Sequence, residues 1–225
     1  MSTFEKTQRT AINRLPARGT YDREQVYAIL DEALICHVGY SGADGSPYVI
    51  PTAYGRDGDR LFVHGSAISR TLEALGSGIP VCITVTLVDG MVFARSAFHH
   101  SMNYRSVMIF GIAEPVTDPD DKLRALAAIT NHLIPGRWEE TRPTTEAESN
   151  ATQALLIKLG EVSAKVRTGG PHDAAEDLSL PIWAGVVPLF MQAGEPIASD
   201  QSQEESNSPL PDSLAEFMRK HLPRA

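Results

Sequence analysis

Residues 96–111 read S-A-F-H-H-S-M-N-Y-R-S-V-M-I-F-G, and this stretch decides the fold. It ends in a short apolar run, V-M-I-F at 107–110, which is consistent with a buried strand, whereas residues 99–105 include two histidines, an asparagine, a tyrosine and an arginine. Polar and cationic groups cost free energy on a core strand unless they find partners. The stretch therefore predicts a strand that both contributes to a core and serves a cofactor with a flat ring and a phosphate.

The length and composition of the chain predict one main domain in the cytoplasm. With 225 residues, 42% of them hydrophobic, the chain can bury a substantial core. The net charge of −8 excludes a nucleic-acid-binding protein and disfavours anionic membranes, because no cluster of Lys and Arg neutralises a run of phosphates. Cys36 and Cys82 lack metal-ligand spacing, so we expect reduced core thiols and no metal site. The N-terminal residues lack the apolar segment of a signal peptide, and no run reaches the roughly 18 apolar residues of a membrane span, so we expect neither feature.

The residues around the opening stretch predict an antiparallel β domain. Asp22, with Gln25 three residues later, is typical of a helix start. From residue 33 onward, short runs rich in Val, Ile, Thr and aromatic residues are separated by turn residues. The pair Asp89-Gly90 predicts a two-residue hairpin, and Pro51 predicts an edge position or a bulge. The predicted strands cover residues 33–40, 47–55, 60–65, 80–88, 91–98 and 104–116.

The second half of the chain predicts two helices and two more strands. One helix begins after Asp118 and ends before Pro135, and a second covers 145–159. Strands are expected over 161–167 and 183–189. Seven or eight strands without regular alternation with helices favour a small barrel over a doubly wound sheet.

The C-terminal region predicts a separate appendage. Residues 192–211 are rich in Ser, Gln, Glu and Pro and are expected to form a flexible linker after a domain spanning 1–191. Residues 212–225 then predict an amphipathic helix capped by Asp212, which docks on the domain or on a second subunit.

The segment 61–70, L-F-V-H-G-S-A-I-S-R, predicts a phosphate-binding turn. It runs from a strand through a glycine to two serines and an arginine at the start of a short helix. Free amides and the positive helix end favour an anion, and Arg70 can bind phosphate oxygens through two parallel hydrogen bonds. The alternative is structural, since Ser66 or Ser69 can cap the helix while Arg70 is solvated.

The polar part of the opening stretch also allows two interpretations. Tyr104, Arg105 and Ser106 can bond a polar ring edge or a phosphate, or they can lie on an exposed strand face. The neighbouring pair His99 and His100 does not predict a metal site, because adjacent side chains on a strand point to opposite faces. Glycine-rich nucleotide loops, zinc-protease motifs and nucleophile elbows are absent from the sequence.

The chain resembles the flavin-binding split barrels related to pyridoxamine 5′-phosphate oxidase, within them the branch of nitroimidazole-resistance-type flavin-nucleotide-binding proteins. The resemblance extends over residues 20–189. Its carriers are P-T-A-Y at 51–54 followed by L-F-V-H-G-S at 61–66, the stretch F-H-H-S-M-N-Y-R-S-V-M-I-F-G-I-A at 98–113, and the late pair E-V-S-A-K-V-R at 161–167 and W-A-G-V-V-P-L at 183–189.

This resemblance implies a mainly β fold with inserted helices, a six-stranded antiparallel split barrel of the FMN-binding type. It implies a homodimer with two FMN sites at its interface. The flavin ring would lie along Ile50, Pro51, Thr52 and Ala53. The phosphate would be held by His64, Gly65, Ser66, Ser69 and Arg70. The opening stretch would contribute Asn103, Tyr104, Arg105, Ser106 and Val107 from the partner subunit.

The sequence also departs from the enzymes that oxidise vitamin B6. Thr71 follows Ser69-Arg70 where those enzymes have a lysine, and no arginine follows Trp183. The resulting hypothesis is an FMN-dependent oxidoreductase that reduces a small acceptor such as a nitroaromatic compound, with His64 close to cofactor and substrate. The alternatives are a non-catalytic flavin carrier, a haem-binding protein using His64, His99 or His100, and a reductase of the same fold that uses the deazaflavin F420.

Overall fold

The structure, a computed structural model, describes residues 2–199 and 210–221. The strands among these residues are β1 (Gly19–Thr20), β2 (Ile35–Ser41), β3 (Pro47–Asp57), β4 (Arg60–Ser66), β5 (Pro80–Phe93), β6 (Ser101–Pro115), β7 (Thr152–Lys158), β8 (Glu161–Arg167) and β9 (Gly185–Pro188). The helices are α1 (Arg23–Glu32), α2 (Arg70–Gly76), α3 (Pro119–Leu133), α4 (Arg137–Glu140), α5 (Glu146–Ala151) and α6 (Asp212–Lys220).

Six of the strands close into a barrel. Around the ring they follow the order β2, β3, β4, β7, β6, β5, and β5 pairs with β2 to complete the circle; every pairing is antiparallel. The remaining strands lie outside the ring, with β8 on β6, β1 on β8 and β9 on β5. The predicted six-stranded antiparallel split barrel is therefore confirmed.

The opening stretch forms the hub of this barrel. Strand β6 pairs along residues 101–112 with β5, and on its other side with β8 over 104–110 and with β7 over 113–115. Val107, Ile109 and Ala113 are buried in the main core, as alternation along the strand requires. The barrel splits where the far side of β6 passes from β8 to β7.

The hairpin predicted at Asp89-Gly90 is wrong. Residues 80–93 form the single strand β5, and its register against β6 shifts between Val88 and Gly90. The extra residue is a bulge, which lets the strand continue past a turn-forming pair. At Gly90 an added Cβ would lie 3.0 Å from the Val187 carbonyl oxygen of β9, so close approach of that strand explains the glycine.

The helix predicted over 145–159 is also wrong in its second half. Helix α5 ends at Ala151, and the next seven residues form β7. Ala154, Leu155 and Ile157 are buried there between β4 and β6. The periodicity of a short apolar run does not distinguish a helix from a buried strand. Here the run forms a strand because it pairs with the edges of β4 and β6.

Helices α1 and α3 cover the barrel. Asp22 accepts a hydrogen bond from the Gln25 amide, which confirms the predicted cap, and Asp118 caps α3 in the same way. Helix α3 packs closely on β3 at Gly55, where an added Cβ would lie 2.5 Å from the helix backbone. This contact sets the distance between α3 and the barrel, and so the space beside β4.

The C-terminal helix docks on the domain of its own chain. The cap position of α6 is Pro211 rather than the predicted Asp212, which is the first helical residue, and the Ser213 amide and hydroxyl bond the Glu140 carboxylate of α4. The predicted linker includes residues 200–209 and the predicted helix includes 222–225, which lie outside the described residues. None of the helices over 2–199 and 210–221 is long and apolar enough to span a membrane.

Candidate functional site

The predicted ring-binding strand has a free edge. Ile50, Pro51, Thr52 and Ala53 pair with β2 on one side, whereas β4 pairs with β3 only from Tyr54 onward. On the side away from β2, no strand in the described part of the chain covers the backbone of these four residues. The edge position predicted for Pro51 is thus confirmed, and backbone donors and acceptors along this edge are available to a ligand.

The predicted phosphate turn starts where β3 and β4 separate. Tyr54 pairs with Val63, so Ala53 and His64 are the first residues beyond the last pair of the two strands. Gly65 and Ser66 then end β4 beside β7. The register of the two strands therefore brings the free edge of β3 and the turn to the same end of the barrel.

Within the turn, the two serines differ from Arg70. The Ser69 hydroxyl accepts from the Leu72 amide at 3.4 Å and caps α2, and the Ser66 hydroxyl accepts from the Ile68 amide at 3.4 Å. Arg70 is exposed, and the ion pairs of the described residues do not include it. Ser69 therefore caps the helix, as the structural alternative predicts, and the phosphate contact of Arg70 stays a prediction.

The predicted residues of β6 do not pair with either strand of the predicted flavin site. Residues 103–107 pair with β5 on one side and, from 104 on, with β8 on the other, not with β3 or β4. Val107 is buried in the core, Asn103 accepts a hydrogen bond from Arg167, and the Ser106 hydroxyl donates to the Lys165 carbonyl oxygen at 3.4 Å. Tyr104 is half-buried opposite Arg167 of β8. Their contribution to a partner's site remains a prediction.

Arg105 is engaged by two carboxylates that the sequence did not bring together. Its guanidinium donates to Asp89 of β5 at 2.9 and 2.7 Å and to Glu32 at the end of α1 through two further bonds. These bonds raise the pKa of Arg105 above its usual value, so the side chain stays charged. The two carboxylates thus use the donors that were expected to meet a phosphate.

His64 lines a polar cavity of about 400 Å³. Its imidazole is half-buried and its buried Nδ1 has no hydrogen-bond partner. Burial lowers the pKa of His64, because desolvation disfavours the imidazolium form. The other walls come from β7 and α3 to α5 and include Leu126, Thr130, Trp138, Thr141, Arg142, Thr144, Glu148 and Thr152. We call this space the His64 cavity.

A second cavity, of about 590 Å³, lies at the C-terminal end of the molecule. Its walls come from α1, β5, β6 and two C-terminal segments. They combine apolar, acidic and basic side chains, from Ala28, Asp31, Glu32, Thr86, Leu87, Val88, Asp89, Arg105, Leu189, Phe190, Met191, Lys220 and His221. We call it the C-terminal cavity. Sequence reasoning missed it, because its walls lie more than 100 residues apart and His221 stood out only as one of several basic residues at a helix end.

The described residues contain no group of three or more His, Cys, Asp or Glu side chains able to hold a metal ion. Cys36 and Cys82 are free thiols; Cys36 is buried, which raises its pKa to about 12. His99 and His100 lie in and just after a short 3-10 helix (Ala97–His99), rather than on a strand, and line neither cavity.

The chain is similar to one protein family and to several solved structures. Residues 22–166 match the pyridoxamine 5′-phosphate oxidase family. Among solved structures, the flavocytochrome Anf3 from Azotobacter vinelandii is 40% identical, with a TM-score of 0.87 over 94% of this chain and 97% of that one. The FAD and haem binding protein from Mycobacterium smegmatis is 39% identical, with a TM-score of 0.85 over 89% and 97% of the two chains.

A third structure matches a smaller part of the chain. A protein from Bacteroides thetaiotaomicron, described as a 5-nitroimidazole antibiotic resistance protein, is 25% identical, with a TM-score of 0.57 over 66% of this chain and 86% of its own. A comparison with curated proteins gives no match. The likeness to the flavocytochrome and to the FAD and haem binding protein therefore extends over far more of the chain than the likeness to the third.

Proposed function

The chain belongs to the pyridoxamine 5′-phosphate oxidase family, and from this premise we propose that it is a flavin- and haem-binding redox protein. The two similar structures that match about nine-tenths of the chain are a flavocytochrome and an FAD and haem binding protein. We extend to this chain the binding of flavin and haem, because its own residues meet the needs of these groups.

The observation that carries the flavin assignment is the free edge of β3 next to the uncommitted Arg70. A flavin ring carries polar edges that need hydrogen-bond donors and acceptors, and the backbone of Ile50 to Ala53 offers both. A flavin phosphate needs a cation and hydroxyls, and the turn offers Arg70 and Ser66. The residues present therefore fit a flavin nucleotide, FMN or FAD.

When bound, the flavin supplies hydride and electron transfer. The chain's part is to bind and orient this group, and to admit a small acceptor beside it. The His64 cavity begins at the end of β4 that leads into the turn, and its volume falls within the range of roughly 300–1,000 Å³ of small-molecule sites. A neutral His64, with a buried nitrogen lacking a partner, is the candidate residue for contact with cofactor and acceptor, including a nitroaromatic one.

We further propose that the protein works as a homodimer with its flavin sites at the interface. The outer face of β2, β3, β5 and β6 exposes large apolar side chains, with exposed fractions between 40% and 65% for Ile35, Val49, Met108 and Ile112. Such a patch favours a protein contact. Light scattering at micromolar concentration should give twice the chain mass, and a monomer would contradict the proposal.

The flavin assignment is tested with Arg70→Ala. Apoprotein is titrated with FMN, FAD and F420, and binding is followed by fluorescence; the flavin that copurifies with the wild type is identified by mass. Loss of a charge-assisted phosphate contact is expected to weaken flavin binding at least about tenfold.

Arg124→Ala is the matched control, because Arg124 is an exposed arginine on α3 outside the turn and outside the His64 cavity lining. It should leave flavin affinity unchanged. Equal affinity of Arg70→Ala and the control for FMN and FAD would contradict the phosphate assignment. Preference of the wild type for F420 would move the protein to the deazaflavin class.

A further inference from the structure

We infer that haem is held in the C-terminal cavity, with His221 as an axial ligand through Nε2. This inference rests on the proposed haem binding and adds the site and the ligand. Among the described histidines, His64 and His221 line the two cavities reported above, so the choice between them depends on the chemistry of each imidazole and of its surroundings.

The hydrogen bond of His221 engages Nδ1 and leaves Nε2 as the nitrogen that can bind a metal ion. Nδ1 lies 2.9 Å from the Phe217 carbonyl oxygen, which can only accept, so Nδ1 carries the proton. In the neutral ring Nε2 then holds the free lone pair. Metal-bound histidines characteristically donate their second nitrogen to a carbonyl or carboxylate, which fixes tautomer and orientation. The residue His221 is only 8% exposed, and its ring packs on Phe217 with ring centroids 4.4 Å apart.

His64 lacks this arrangement. Its Nδ1 is buried without a partner, so a proton there would stay unsatisfied while Nε2 bound a metal. The walls of its cavity are mostly hydroxyl and charged side chains. These features suit a residue that meets a polar acceptor better than one that holds a porphyrin.

The walls of the C-terminal cavity suit a flat apolar ring with acidic side groups. Leu87, Val88, Leu189, Phe190 and Met191 supply apolar surface, and Phe190 and Met191 are more than 60% exposed without a ligand. Burial of such side chains against a porphyrin removes apolar surface from water.

Lys220 is the cation at this cavity that is available to a carboxylate group of a ligand, because Arg105 is paired with carboxylates of the chain. Asp31 is paired with Arg56, and Glu32 and Asp89 are both paired with Arg105. Lys220 lies at the cavity with its Nζ 3.2 Å from the Asp31 carbonyl oxygen, outside the ion pairs of the described residues. Its ammonium group can therefore pair with a haem propionate.

The extent of the similar chains agrees with this site. The family match ends at residue 166, whereas residues 189–191 and 220–221 of the cavity wall come later in the chain. The flavocytochrome and the FAD and haem binding protein match 94% and 89% of the chain, and the nitroimidazole-resistance protein matches 66%. The match to the flavocytochrome and to the FAD and haem binding protein is therefore too long to end at residue 166, where the family match ends.

The test compares haem binding by the full-length wild type, His221→Ala, His64→Ala and His100→Ala. His100 is the matched control, because its Nδ1 also bonds the carbonyl oxygen four residues earlier, at 2.8 Å, but it is exposed and outside both cavities. Each protein is titrated with haemin, and the Soret band and electron paramagnetic resonance spectrum are recorded. Flavin content and circular dichroism report on folding.

We expect His221→Ala to lose haem affinity at least about tenfold and to change the spectrum of any haem retained, while its flavin content stays normal. His100→Ala should match the wild type in every readout. His64→Ala should keep the wild-type haem affinity and haem spectrum, whatever its flavin content. Added imidazole should restore the wild-type spectrum in His221→Gly, which separates lost ligation from lost folding.

The possible failures are distinguishable. A wild type that binds flavin but no haem would overturn both the haem part of the proposed function and this inference. Haem bound normally by His221→Ala would overturn the inference and leave the proposed function standing. Loss of haem in His64→Ala, with normal binding in His221→Ala, would move the ligand to the His64 cavity.

Discussion

The His64 cavity and the C-terminal cavity each contain one histidine, yet the chain surrounds the two imidazoles in opposite ways. The first has hydroxyl-rich walls and a buried nitrogen without a partner. The second combines apolar side chains with charged ones, and its histidine has a nitrogen that donates to a carbonyl. An orienting hydrogen bond prepares an imidazole as a ligand, whereas an unpaired nitrogen leaves the ring ready to meet a polar molecule. Histidine content alone therefore does not assign a cofactor site.

The largest expected effect is the loss of stability in Gly55→Ala, a substitution that should disturb the His64 cavity and leave the C-terminal cavity intact. In Gly55→Ala the new Cβ would lie 2.5 Å from backbone atoms of Ala128 and Ile129, so α3 would have to move. Because α3 supplies Leu126 and Thr130 to that cavity, we expect a stability loss of about 3 kcal/mol in urea unfolding together with a disturbed His64 environment.

The control for this prediction is Gly160→Ala, at a glycine with no heavy atom near the new Cβ. It should stay close to the wild type, and haem binding should survive in folded Gly55→Ala. Equal unfolding midpoints for the two variants would show that the contact between α3 and β3 does not set the cavity.

A smaller effect is expected from the charged wall of the C-terminal cavity. Arg105→Gln removes the bonds to Glu32 and Asp89 and leaves two partly exposed carboxylates close together. We expect a loss of about 2 kcal/mol in thermal unfolding, because charged groups lose their partners. Arg124→Gln breaks a surface pair with Asp121, and should leave the unfolding temperature close to that of the wild type, because solvent screens exposed ion pairs. Similar losses in both variants would mean that the Arg105 cluster is no more than a surface ion pair.

The smallest expected effect is the contribution of His64 to the pH dependence of folding stability. Burial lowers the pKa of His64 and of His132, so between the folded and unfolded pKa values the unfolded chain binds more protons. Stability is then greatest above the unfolded value of about 6.5 and falls as the pH decreases, by at most about 1.4 kcal/mol per pH unit for each histidine.

The variant His64→Gln should flatten this dependence in part, and the slope due to His132 should remain. Urea midpoints measured from pH 8 to pH 5 check the result. An unchanged slope would show that the His64 imidazole keeps an ordinary proton affinity despite its burial.

Sequence reasoning predicted the barrel, the two main capped helices and the turn with Arg70. These features depend on local signals, such as the cap at Asp22 and the apolar run that begins at Val107. It failed where a non-local partner decides the structure. Residues 152–158 become a strand because β4 and β6 present open edges, and Asp89 forms a bulge beside Arg105 instead of a hairpin.

The C-terminal cavity was beyond prediction for the same reason. Leu87, Met191 and His221 are far apart in sequence, and the docking of α6 brings them together. The bond from His221 to Phe217 is local, but its meaning depends on the walls around it.

The position of β6 as a hub has a consequence for synthesis of the chain. Its partners β7 and β8 begin at residues 152 and 161, well after β6 itself ends at Pro115. A nascent chain that has left the ribosome up to α3 therefore holds open strand edges on β4 and β6, which favour pairing with other chains. The barrel closes only when β7 (152–158) has been synthesised, so a premature stop before residue 152 is expected to produce an aggregating fragment rather than a smaller working domain.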